Sequence, residues 1–228
     1  YENINLTGMV SYSSKKMTLD TYRSMMNRGF LGSFDTSSAD LSSVSFGGLI
    51  LLTDVNHSKT HLSISIEKSI GDSAVKGTVL TPMGSHMDIT LPYAMQLGDK
   101  GIKMDLGVTN LKKINEKLSW GNQLKRKFGL SDDVWSFGDQ LEFNTWMQYK
   151  YSKAISLSSR LKLVHQQKIS GLDPLINAPV QTAYPENYGG KEVHLALGAN
   201  FLLGNSKKIS FEFVSPIKQE KNNLQMKT

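Results

Sequence analysis

Nine charged residues of this 228-residue chain recur at alternating positions within short segments: Glu67, Lys103, Asp105, Glu142, Lys150, Arg160, Lys162, Glu192 and Glu212. Acids and bases are nearly balanced. Gathered on one surface, they make a salt-bridged lining rather than a reaction centre. Glu142 and Glu192 could face each other as a carboxylate pair, but Lys150, Arg160 and Lys162 are at hand to bridge them. A second constellation is Met83, His86 and Met87, spaced Met-x-x-His-Met, with Met17, Met25 and Met26 elsewhere. Thioethers with an imidazole select Cu(I). Methionines under long loops also serve as flexible packing, and that is the role expected here. Met83, His86 and Met87 stand as the copper candidates, and no metal or cofactor is expected. His165 and His194 fall on opposite faces of their segments and make no metal pair. Asp72, Asp88, Asp139 and Asp173 lie in connecting segments, but no serine has a Gly-x-Ser-x-Gly context. We expect no enzyme.

These residues sit in a sequence dominated by period two. In 3–13, Ile4, Leu6, Gly8, Val10 and Tyr12 share one face, and Asn3, Asn5, Thr7 and Ser11 the other. The alternation recurs at 44–53, 61–69, 101–109, 117–126, 140–151, 154–165, 192–203 and 208–217. It is the pattern of strands between an apolar and a polar environment. Helix signals are poor; only 17–28 is expected to form a helical turn or two. The links alternate strictly between long or medium (14–43, 70–100 and 166–191 long, 127–139 medium) and short (54–60, 110–116, 152–153, 204–207). Transmembrane barrels segregate turns and loops in this way. The nine charged residues all fall on the polar faces, while the apolar faces carry almost no charge and hold Tyr12, Trp120, Tyr149, Tyr151 and Phe201. That suits an uncharged outer belt with aromatic girdles and a charged interior.

Composition sets the bounds. There is no cysteine, which excludes disulfide scaffolds, thiolate metal sites and a cysteine nucleophile. No run of apolar residues is long enough for a transmembrane helix. The net charge of +6 is scattered apart from Lys125, Arg126 and Lys127, so no nucleic-acid partner is expected.

Several segments resemble an outer-membrane, transporter-like family labelled MetA-pathway of phenol degradation. They are Asn5 to Tyr12 with Ser14-Lys15-Lys16-Met17, Leu91 to Gly98 with Ile102 to Leu106, Trp135 to Asp139, Ser170 to Pro174, Tyr184 to Gly190, and Glu212 through Pro216 to Gln225. The run Asp99-Lys100-Gly101 departs from the family pattern. The resemblance implies an outer-membrane barrel that passes small molecules, and no catalytic residues.

The expected architecture is therefore a single antiparallel up-and-down transmembrane β-barrel in the bacterial outer membrane. Nine strands leave an edge that lipid does not tolerate. A tenth strand is expected beyond Thr228, or twelve with an N-terminal hairpin, so the chain is expected to be truncated. The lumen of so small a barrel is mostly filled by side chains, which suits a narrow channel for small solutes. The prolines of the 166–191 link suggest a stiff loop folding inward. The alternatives are a structural barrel whose outer loops bind an envelope partner or filament, and a soluble barrel with its faces inverted around an apolar ligand.

Overall fold

The computed structural model describes residues 3–23, 29–131, 133–177, 180–203 and 207–223. Its strands are β1 (Ile4–Tyr22), β2 (Phe30–Val55), β3 (Ser58–Ser69), β4 (Lys76–Leu80), β5 (His86–Thr90), β6 (Ile102–Lys113), β7 (Leu118–Ser131), β8 (Trp135–Ser136), β9 (Gln140–Lys150), β10 (Ile155–Gln166), β11 (Ser170–Gly171), β12 (Gly190–Leu203) and β13 (Lys207–Lys221). Nine of them form one antiparallel sheet in the order β1-β2-β3-β6-β7-β9-β10-β12-β13, curved into a half-barrel. They are the nine strands expected from period two, each paired with its neighbour in sequence. Two small hairpin sheets, β4-β5 and β8-β11, lie in the connections. Among the described residues there is no tenth strand of the main sheet and no helix long and apolar enough to cross a membrane.

The β2–β3, β6–β7 and β9–β10 turns lie at one end. The β2–β3 turn is Asn56-His57, with positive φ of 51° and 63°, the left-handed pair that matches the twist of a two-residue hairpin. At the other end lie the connections between β3 and β6, β7 and β9, and β10 and β12.

The segment 14–43 is not the loop expected. β1 and β2 run on as one tall hairpin, paired from Ile4↔Ile50 to Tyr22↔Phe30. Residues 17–22 are strand rather than helical turn; residues 24–28, with Met25 and Met26, lie outside the described residues. A bulge opposite Tyr12 reverses the alternation of β2. Phe34, Thr36 and Ser38 then share a face with Met17 and Lys15, while Lys16, Thr18, Asp20, Ser33 and Asp35 share the opposite face.

The apolar core lies mainly in the connections, with Met17 of β1 joining it. Tyr93, Trp135, Ile169, Ile176, Ala183 and Tyr188 form one buried cluster, and Met17, Leu91 and Met95 a second. The sheet's own apolar side chains stay exposed: Leu6 by 71% and Phe213 by 73%.

Candidate functional site

The strand registers assign every charged residue to a face. The row Glu67↔Lys103 continues to Gly129, and Asp105↔Lys127 continues to Gln140. Lys125↔Glu142↔Val164↔Glu192 follows on the same face. All nine charged residues of the expected lining share this face, together with Lys125, Lys127, His194 and Lys221. It is the inner face. Lys127 on β7 reaches Glu67 on β3 at 2.9 Å across β6, and Arg160 on β10 reaches Glu212 on β13 at 2.5 Å across β12. Curvature brings side chains two strands apart together on the inside of a sheet.

Eight of the nine are ion-paired; Glu142 takes one of the bases expected for it, but Glu192 does not. Glu142 takes Lys162 at 2.8 Å. Glu192 takes Lys221 and lies 2.8 Å from His194 Nε2. Asp105 takes Lys125 at 3.0 Å, and Lys103 takes Asp99 at 2.6 Å. Glu142 and Glu192 are therefore held by separate lysines. Lys150 has no ion pair among the described residues. Between the pairs runs a chain of amides. Asn144 Nδ2 donates to Glu142 Oε1 at 2.6 Å and to Gln123 Oε1 at 3.3 Å, and Gln123 Nε2 donates to Thr109 Oγ1 at 2.8 Å. The Trp146 ring lies flat on Gly121, where a Cβ would come within 2.2 Å of it. Matched charges and the amide chain hold this lining together, although Asn144 Oδ1 and Arg160 Nε stay buried without a hydrogen-bond partner.

The copper candidates do not converge. Met83 is at the β4–β5 tip and 93% exposed. His86 and Met87 are successive residues of β5, so their side chains leave the strand on opposite faces. Among the described residues no cluster of three or more His, Asp or Glu side chains could hold a metal.

At the long-loop end the connections fold over the inner face as a hood. Tyr93 stacks edge-on against Trp135 at 4.8 Å and Tyr188 at 5.9 Å. The Asp173 N–H donates to Tyr93 Oη at 2.9 Å, the Ala94 N–H donates to Tyr188 Oη at 2.8 Å, and Tyr188 O–H donates to the Thr182 carbonyl at 2.6 Å. Burial pushes both phenols up, so both keep their protons. Gln96 is fully buried; its amide accepts from the Val75 N–H at 2.8 Å and donates to the Leu91 carbonyl at 2.6 Å. The inner face holds the hood from below. Lys15 Nζ donates to the Gln96 carbonyl at 2.5 Å and Ser38 Oγ to the Met95 carbonyl at 2.7 Å. The inward folding expected for 166–191 thus extends to three connections. Beneath the hood, a cleft of about 320 Å³ remains, walled by Phe137, Tyr188, Lys162, Glu192, His194 and Lys221 among others.

Asp99 locks this arrangement. Its carboxylate accepts from the Phe137 N–H at 2.9 Å and the Gly101 N–H at 3.2 Å, besides Lys103. Burial pushes the carboxyl up, but Lys103 and the two N–H donors outweigh it and hold it below the usual carboxylate range. A folded pKa below the unfolded one gives stability that is complete above the ordinary carboxylate pKa and is lost as pH falls through the lowered value. We expect the hood to become protease-sensitive in that acid window. In Asp99→Asn it is sensitive already at neutral pH, because Lys103 is left unpaired. Limited proteolysis across pH checks this.

On the outer face the apolar side chains form a belt that slants across the hydrogen-bonded rows. One row runs Leu6, Gly48, Ile64, Leu106, Arg126, Leu141, His165, Lys191, Glu220. It is apolar at the β1 side and charged at the β13 side. A row nearer the short turns runs Ser58, Lys112, Trp120, Met147, Ser159, Leu197, Phe213, polar at one side and apolar at the other. On β1 the belt ends above Tyr12, where Lys16 pairs with Asp35 at 2.8 Å. Trp120, Tyr149, Tyr151 and Phe201 mark the opposite edge, and Trp120 Nε1 donates to Thr145 Oγ1 at 2.8 Å.

Searches for relatives add nothing to this geometry: no family model matches the chain, and no curated protein matches it.

Proposed function

We propose that this chain forms the wall of a bacterial outer-membrane β-barrel that works as a narrow, gated channel for small solutes. The slant of the outer belt carries the reading. The belt's upper edge lies at Ser14 to Lys16 on β1 but at Lys191 on β12, in the row of Leu6, so it shifts eight to ten residues along the strands over seven strand steps. A shift of about 1.1–1.4 residues per strand, at about 3.3 Å per residue and about 4.8 Å between strands, is a tilt of about 37–44°. Strands of membrane barrels tilt by about 35–45°. A belt level with a flat bilayer has to slant across the rows by that angle. A soluble barrel has no reason to keep such a belt on its exposed face, and the polar lining speaks against an apolar ligand inside. The resemblance to the phenol-degradation-labelled family agrees with this reading.

The ion-paired lining and the hood favour a restricted path over a wide pore. A second reading, a barrel that anchors an interaction surface, draws on the tall β1–β2 hairpin, whose outer face above the belt is polar and exposed. The first test is heat-modifiable gel mobility of membrane-extracted protein. The expected result is a detergent-dependent protein whose unboiled band migrates apart from the boiled one. Free solubility with no shift would overturn the reading. Single-channel conductance in planar bilayers then separates the channel from the interaction barrel.

A further inference from the structure

At the short-turn end of the inner face the charge balance fails. A pocket of about 290 Å³ is lined there by Lys117, Lys150, Lys153 and Lys208, with one acid, Glu116. None of these lysines has an ion pair among the described residues. The remaining wall is mixed: Ala154, Ile155 and Leu202 are apolar, and its polar side chains are tied to one another. Gln148 Nε2 donates to Ser156 Oγ at 2.9 Å, Asn200 Nδ2 to the same oxygen at 3.3 Å, and Ser210 Oγ to Asn200 Oδ1 at 2.7 Å. The backbone N–H of Lys150 donates to the Lys117 carbonyl at 2.7 Å, which holds the two lysine-bearing segments side by side. Lys150 and Lys208 lie on the inner face by register, opposite Ser156 and Leu202. Their charges face the lumen and not surrounding lipid.

In the middle of the inner face, Glu67, Asp105, Glu142, Glu192 and Glu212 are each matched by a lysine or arginine. Here four cations surround one carboxylate in a concave site, which concentrates the field. Rings of lysine and arginine are how pores select anions. We infer that this mouth is an anion-binding site that gives the channel a preference for small inorganic or carboxylate anions. The inference rests on the channel reading for its consequence, but not for the site itself.

The test uses the detergent-extracted protein and its Lys150→Glu/Lys208→Glu variant, with heat-modifiable mobility confirming that the variant folds. In planar bilayers under a KCl gradient, wild type passes chloride over potassium by at least about threefold, and the variant reverses the preference. The outward Lys191→Glu leaves the preference unchanged. A wild type that conducts without preference, or prefers potassium, overturns the inference. If wild type does not conduct, the channel reading falls and a phosphorus NMR titration with inorganic phosphate decides the site. Saturable binding weakened about tenfold in the variant upholds it; absence of saturable binding overturns it.

Discussion

Replacing Leu197 by Arg lowers the unfolding free energy of the membrane-inserted protein by about 2–4 kcal/mol, the cost of a basic side chain near the bilayer midplane. Leu197 points outward from the middle of the belt on β12 and is exposed. Leu6→Arg costs less than Leu197→Arg, because Leu6 lies eight to ten residues below the belt's upper edge, towards the opposite interface. It stays within the belt, although it shares its hydrogen-bonded row with Lys191, which the protein carries already. Ser14→Arg, outward on β1 but past the belt, costs about 0–1 kcal/mol, as near an interface. Equilibrium unfolding in urea from lipid vesicles measures all three. The contrast between Leu6 and Lys191 is the informative one. Height in the bilayer separates them, and position in the sheet does not.

The second large effect belongs to the hood. Tyr93 is fully buried, stacks on two aromatic rings and accepts a backbone hydrogen bond. Tyr93→Ala removes the centre of that cluster, a loss of about 3–5 kcal/mol. The sheet does not depend on the cluster. Its strand pairings lie below it, and of its ion pairs Lys103–Asp99 reaches the hood. The expected result is local: the connections at 70–101 and 167–189 become protease-sensitive while heat-modifiable mobility is kept. In bilayers the same variant has a larger conductance than wild type. Loss of heat-modifiable mobility would mean that the hood supports the sheet and does not merely cover it.

The main sheet was legible in the sequence because its two faces place opposite demands, apolar and polar, on successive residues. Every long alternating segment became a strand, in order. The hood was not legible. Its residues, such as Tyr93, Trp135 and Tyr188, come from irregular connections with no period, and only the meeting of three loops makes them a core. Three lining lysines were missed for local reasons. Arg126 interrupts the outer face of β7, which hid the continuation through Phe128 that places Lys125 and Lys127 inside. Lys221 lies past Pro216 and a bulge at Val193/His194 that resets the alternation. The bulge opposite Tyr12 likewise hid the upper half of β2, already masked by its many serines. Carrying the alternation past one outward charge would have found Lys125 and Lys127, and across one phase slip Lys221 and the upper half of β2.

Because the chain has no cysteine, a single introduced cysteine is a unique labelling site. Nitroxides at residues 6, 191 and 197 in reconstituted vesicles test the slanted belt most directly, through collision with oxygen, which partitions into lipid, or with a water-soluble nickel chelate. The account predicts that labels at 6 and 197 collide with oxygen and that the label at 191 collides with nickel. Residues 6 and 191 giving the same profile, or nickel reaching all three, would contradict it.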